Sequence, residues 1–250
     1  MFKRRYVTLL PLFVLLAACS SKPKPTETET TTGTPSGGFL LEPQHNVMQM
    51  GGDFANNPNA QQFIDKMVNK HGFDRQQLQE ILSQAKRLDS VLRLMDNQAP
   101  TTSVKPPSGP NGAWLRYRKK FITPDNVQNG VVFWNQYEDA LNRAWQVYGV
   151  PPEIIVGIIG VETRWGRVMG KTRILDALAT LSFNYPRRAE YFSGELETFL
   201  LMARDEQGDP LNLKGSFAGA MGYGQFMPSS YKQYAVDFSG DGHINLWEIG

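Results

Sequence analysis

The stretch PPEIIVGIIGVETRWG, residues 151 to 166, constrains the fold of this chain more than any other. It is a helix of isoleucines and valines, and Pro152 suits its first turn. Positions 155, 158, 159 and 162 share one helical face, so the face that packs against the core ends in a carboxylate, Glu162. Removing a carboxylate from water raises its pKa, which is what a general acid near neutral pH needs. The pattern also fits a glutamate that meets solvent where the apolar stripe stops, and the helix alone leaves both readings open.

Helical periodicity dominates elsewhere. NAQQFIDKMVNKHG puts Phe63, Ile64, Met67 and Val68 on one face and stops at Gly72. In the next segment Asp74 is a cap with Gln77 three residues on, followed by the stripe Leu78, Ile81, Leu82, Ala85 and Leu88. One further helix is expected from Thr123-Pro124 to Gly149, and two more over 173–184 and 186–205. The Pro-, Ser- and Gly-rich stretch 97–112 reads as a boundary or long loop. Strand patterns are scarce, and Asp176, Glu190 and Glu195 fall at spacings that suggest exposed helix faces.

The chain opens with Lys3, Arg4 and Arg5, an apolar run from Val7 to Leu16 and small residues before the single cysteine, the form of an export signal. The run is too short to span a bilayer comfortably. LAAC, residues 16 to 19, resembles a bacterial lipobox in which Cys19 is acylated, and Ser20 after it implies sorting to the outer membrane. A lone cysteine forms no internal disulfide, so anchoring is its economical use. From Ser20 to Gly38 the composition is that of a flexible tether. Without the three basic residues of the signal, the formal charge of +2 becomes −1, which argues against nucleic acid as a partner.

A second glycine-rich stretch, GAMGYGQFMPSSY (219–231), lacks the Gly-Lys-Ser/Thr ending of a phosphate loop. Its glycines with Tyr223, Gln225 and Phe226 suit a loop lying close under a sugar: small residues admit the ring, an amide bonds its polar groups and an aromatic stacks on its face. DFSGDGHINLWE (237–248) has the spacing of an EF-hand calcium loop. Asp237, Ser239 and Asp241 stand at positions 1, 3 and 5, Gly242 at the turn, His243 offering its carbonyl, Asn245 at position 9 and Glu248 at position 12. No cysteine or second histidine lies nearby to make His243 a zinc ligand.

ETRWG (162–166) resembles the Glu-Ser/Thr-x-x-Gly pattern of lysozyme-like lytic transglycosylases, and GAMGYGQFMPS resembles their second signature. With the lipobox and the order of segments, the chain resembles the membrane-bound lytic murein transglycosylase B family from Cys19 to about Asp241. The resemblance implies a mainly α fold: a lysozyme-like catalytic core with an additional helical N-terminal domain and an EF-hand-like loop. The corresponding division is a signal peptide over 1–18, acylated cysteine and tether over 19–58, a helical domain over 59–112 and the core over 113–250. Family members continue beyond the position of Gly250, so a core incomplete at its C-terminus is expected.

By the same resemblance Glu162 cleaves between N-acetylmuramic acid and N-acetylglucosamine as acid and then base, giving a 1,6-anhydro product. Ser216 and Gln225 would contact acetamido groups or the stabilised sugar, and Tyr117, Arg187, Arg188 and Tyr191 would line the groove, the arginines pairing with lactyl or peptide carboxylates. The implied cofactor is structural calcium. The implied partners are peptidoglycan strands and the outer membrane, with the protein facing the periplasm; wall-synthesis proteins are further candidates. Competing expectations are a non-catalytic wall-binding lipoprotein or inactive remnant, and a hydrolase in which water attacks.

Overall fold

A computed structural model describes residues 50–98 and 112–249. The signal peptide, Cys19, the tether up to residue 49 and most of the stretch 97–112 lie outside the described residues.

The first three helices are α1 (Pro58–His71), α2 (Arg75–Ser83) and α3 (Asp89–Gln98). Asn57 caps α1 by accepting from the Asn59 amide, and Gly72 in the left-handed region ends it. Asp74 caps α2 through the Gln77 amide at 2.8 Å, as its spacing predicts. The helix stops at Ser83, yet Ala85 beyond it remains buried, so the apolar stripe outlasts the helix.

Helix α8 (Ile174–Asn184) is the axis of the larger core. Every residue from Ile174 to Phe183 is buried, as a helix apolar nearly all round requires. It packs chiefly on α9 (Ala189–Asp205), which a 3₁₀ turn at Pro186–Arg188 precedes, and also on α1 and α3. Phe183 meets Phe54 and Phe63 edge-on at 5.3 and 5.8 Å, and its carbonyl accepts from the side chains of Asn57 and Asn59. This core draws residues from both sides of position 112, so the boundary expected there does not separate two hydrophobic cores.

Two carboxylates expected on exposed faces are buried. Asp176 accepts from the Lys86 amide and the Arg173 guanidinium, and Glu195 accepts from the amide and hydroxyl of Ser229 at the start of α10 (Pro228–Tyr234). Periodicity misses them because each side chain answers a backbone donor on a distant segment. Glu190 is exposed.

Glu197 ties α9 to α1 through Lys66, Lys70 at 2.9 Å and His71 at 2.6 Å. Burial pushes its pKa up, but the hydrogen bonds from Lys66, Lys70 and His71 outweigh it and hold the carboxyl at about 2 against an ordinary 4.5. A depressed folded pKa contributes stability that is present above the unfolded value and lost as pH falls through the folded one. Stability is therefore expected to fall between pH 4.5 and about 2, by roughly 2 kcal/mol with the exposed lysines partly screened. Urea melts across this range check it: Glu197→Gln should flatten the decline.

A smaller apolar cluster joins α5 (Pro124–Gln136), α6 (Glu138–Tyr148) and α7 (Pro152–Thr163), with α4 (Ala113–Arg118) before them. The single helix expected from 123 to 149 is broken at Tyr137, which leaves helical geometry at φ −118°. The break lets Tyr137 pack on Phe133 at 4.8 Å and keeps Leu141 buried against the same cluster. Two short strands, β1 (Thr172–Arg173) and β2 (Lys214–Gly215), pair antiparallel and bring the segment after α7 beside the glycine-rich stretch. Among the described residues no single helix is long and apolar enough to cross a membrane.

Candidate active site

Helix α7 buries Pro152, Val156 and Thr163 and sets Ile155 and Ile159 against the smaller cluster. Ile158, Val161 and Glu162 are exposed. Of the two readings that the helix leaves open, the structure has the one in which Glu162 meets solvent: only part of the predicted face is covered, and the carboxylate stands at its uncovered edge. Among the described residues the Glu162 side chain makes no hydrogen bond or ion pair, so its carboxylate is available to a ligand.

The chain turns sharply after Glu162. Arg164 and Trp165 both lie in the left-handed region, at φ 51° and 57°, which is costly for residues with a Cβ. The Trp165 indole donates to the Val156 carbonyl at 3.0 Å, and its ring lies so close to Gly130 and Gly160 that a Cβ at either would meet it within 3 Å. Glycine at both positions is thus required by packing.

This turn is joined to the glycine-rich stretch. Residues 221–226 close into a hairpin through reciprocal bonds between Met221 and Phe226, at 2.8 and 3.0 Å. The Thr163 hydroxyl lies 3.0 Å from the Tyr223 carbonyl, the Tyr223 ring packs on Gly166, and the Gln225 amide donates to the carbonyls of Met169 and Gly222. The two motifs quoted from the sequence are thus one structural unit.

Within it the predicted residues differ in what they can offer. Gln225 spends its amide hydrogens inside the protein, so the amide oxygen is what it has for a sugar. The Ser216 hydroxyl accepts from the amides of Ala218 and Ala220, which orients it within the loop. Tyr223 is half-buried between Phe133 and Gly166, and burial, followed by Tyr137, pushes its pKa up. Phe226 is half-buried and its ring lies against Gly224.

Other predicted groove residues have partners of their own. Tyr117 stacks between Trp114 and Phe121 at 6.2 and 5.0 Å. Arg187 pairs with Asp96 of α3, and Arg188 lies over the rings of Tyr191 and Phe192. Burial and then Glu195 raise the Tyr191 pKa. Among the described residues no hydrogen bond, ion pair or ring contact ties Arg187, Arg188 or Tyr191 to Glu162. An apolar hollow of about 420 Å³ lies between α5 and α7, lined by residues including Val127, Val131, Trp134, Val161 and Trp165.

The segment 237–248 forms a compact loop. Asp237 accepts from the Gly240 and Gly242 amides at 2.6 and 2.8 Å, and these hydrogen bonds, Gly242 first, lower its pKa. Gly242 lies at φ +89°, as the sharp turn demands. Ser239, Asp241, His243, Asn245 and Glu248 line one concavity of about 300 Å³. Among the described residues no three His, Cys, Asp or Glu side chains converge as a metal-binding group. The carboxylates instead answer local amides, as with Asp241 and the His243 amide.

Glu206 was not singled out by sequence, since nothing in its spacing marks it. It receives the Tyr231 hydroxyl, the Ile244 amide and the His243 ring, and the first of these contributes most to lowering its pKa. It thereby fastens the loop to α9 and α10. The loop also reaches the hairpin, because the Tyr223 amide donates to the Leu246 carbonyl at 2.9 Å and the Trp247 indole to that of Lys214.

With this geometry in place, comparison with known proteins identifies the family. Residues 55–249 match the transglycosylase SLT domain. The chain is 99% identical over 248 residues to the membrane-bound lytic murein transglycosylase B of Escherichia coli strain K12, covering 99% of this chain and 69% of that protein. It is similar to two structures of the Escherichia coli lytic transglycosylase Slt35, one in complex with bulgecin A and one with calcium, at TM-score 0.76 and 94% and 93% identity. Each match covers 84% of this chain and 64% of the solved one, so the chain spans just under two thirds of those structures. The mainly α, lysozyme-like fold expected from the motifs is thereby shown, and the chain belongs to the transglycosylase SLT domain family.

Proposed function

We propose that this chain cleaves peptidoglycan glycan strands as a lytic transglycosylase, with Glu162 as its acid and base. The observation that carries this is the joining of the helix end bearing Glu162 to the glycine-rich hairpin. It puts one unpaired, exposed carboxylate beside a loop whose small residues admit a sugar ring. The apolar hollow between α5 and α7 offers few polar groups to bind sugar hydroxyls, which favours the hairpin as the sugar site.

In this reading protonated Glu162 donates to the oxygen linking N-acetylmuramic acid C1 to N-acetylglucosamine, and that C–O bond breaks. The muramic C6 hydroxyl then attacks C1 while the Glu162 carboxylate takes its proton, which restores the acid and consumes no water. Most glycosidases use a second carboxylate. Here Asp176, Glu195 and Glu197 are buried and committed to structural bonds, so the acetamido group of the substrate is the better stabiliser of C1. Ser216, oriented within its loop, and the Gln225 amide oxygen, free of the bonds that occupy its amide hydrogens, would hold that acetamido group. Tyr117, Arg187, Arg188, Tyr191 and Phe226 would serve longer strands and their peptide carboxylates. A bound strand would supply the exclusion of water that helix packing does not.

Calcium is the cation that the 237–248 loop would hold, through Asp237, Ser239, Asp241, the His243 carbonyl, Asn245 and Glu248, since hard cations take oxygen ligands at such alternation. The Slt35 structure with calcium supports this. Its role would be to tie down the loop. Calcium is expected to raise the melting temperature of the wild-type protein, and Asp241→Ala should abolish the rise. A rise of equal size in that variant would refute the site.

The relative described as membrane-bound supports lipidation at Cys19 and attachment to the outer membrane on its periplasmic side. The catalytic reading is tested by mass spectrometry of purified peptidoglycan incubated with residues 20–250 and calcium. Anhydro-muropeptides, lighter than reducing-end products by one water, are the expected result. Reducing ends would establish a hydrolase instead.

A further inference from the structure

We propose that Thr163, the residue after the acid, is a positioning residue whose hydroxyl sets Glu162 relative to the sugar-binding hairpin. The inference rests on the catalytic reading above. Thr163 is fully buried on α7. Its Oγ1 accepts from the Gly166 amide at 3.0 Å and has two carbonyls in reach of its single proton, Ile159 at 3.2 Å and Tyr223 at 3.0 Å. One oxygen therefore joins the last turn of the helix that carries the acid, the turn after it and the tip of the hairpin.

The turn needs such a fastening. Arg164 and Trp165 are consecutive left-handed residues, a conformation that persists only where surroundings over-determine it. Trp165 is held from one side by the Val156 carbonyl. From the other, Gly166 at φ +80° lets the Tyr223 ring approach so closely that a Cβ would lie 2.3 Å from it. Thr163 supplies the polar link between these contacts, and its direct neighbour in sequence is Glu162. A shift of the hairpin against α7 would move Gln225 relative to the carboxylate, and misplacement of about 1 Å is enough to cost rate.

The test compares Thr163→Val, which keeps the shape and removes the hydroxyl, with Thr163→Ser, which keeps the hydroxyl. On soluble glycan strands the valine variant should lose about tenfold or more in kcat with KM changed less than about twofold, and the serine variant should recover most of that loss. Amide hydrogen exchange gives a second readout: the Gly166 amide should exchange faster in the valine variant and at the wild-type rate in the serine variant. Should Thr163→Val not fold, Thr163→Ala carries the same comparison. Unchanged kcat in the valine variant, or equal losses in valine and serine variants, would overturn the proposal. A wild-type chain that yields no anhydro product would refute the catalytic reading instead, and Gly166 exchange alone would then decide the strut: an unchanged rate in the valine variant refutes it.

Discussion

Replacing Glu162 by glutamine is expected to lower the release of anhydro-muropeptides by roughly 10³-fold or more, because the amide can neither give nor take the proton on which both half-reactions depend. The substitution preserves shape and falls on an exposed side chain without a hydrogen-bond or ion-pair partner among the described residues, so stability should move by less than about 0.5 kcal/mol. Glycan binding should survive. Mass spectrometry of digests, with thermal melts of both proteins, makes the measurement. Residual activity within tenfold of wild type would mean that another group supplies the proton. Failure of both proteins to give product would favour the wall-binding reading over the enzyme.

Glu162 also shows where sequence reading succeeds and where it stops. Its position on a helix, next to an apolar stripe, is legible because helical period and Pro152 are local signals. Its exposure is not, because whether a face is covered depends on which distant element packs there. Asp176 and Glu195 fail in the opposite direction: their spacing suggests solvent, yet each satisfies backbone donors some 90 and 34 residues away. The break at Tyr137 was missed for a related reason. Its flanks keep one apolar period, and the bend goes with the packing of Tyr137 on Phe133, which itself meets the Tyr223 ring of the hairpin.

The candidate site was legible as two motifs, but not as one unit. Thr163 stood inside the quoted ETRWG, and its hydroxyl could have been suspected on the ground that a buried threonine needs partners. Glu206 carries no such mark. Its importance comes from three donors that converge only in three dimensions, and through them the 237–248 loop is attached to the helices on which α10 and α9 meet.

The coupling between that loop and the hairpin leads to a second large expected effect, at Gly222. This glycine lies at φ +66°, and a Cβ there would sit 2.0 Å from the Leu246 carbonyl oxygen, a backbone atom that cannot swing away. Alanine would add the cost of the left-handed region and would displace Leu246, breaking the bond its carbonyl receives from the Tyr223 amide. Together these should destabilise the protein by on the order of 2–4 kcal/mol. Gly240 is the control, since it shares a positive φ of +81° but has nothing within 4 Å of the added carbon. Gly240→Ala should therefore cost only about 1 kcal/mol. Melting curves with and without calcium separate the effects. If the loop and hairpin act together, Gly222→Ala should lose both product formation and much of the calcium-dependent rise in melting temperature, because the moved Leu246 belongs to the loop that would hold the ion. Equal behaviour of the two alanine variants would show that the loop can shift without disturbing the hairpin, and the cation would then have no bearing on where the sugar binds.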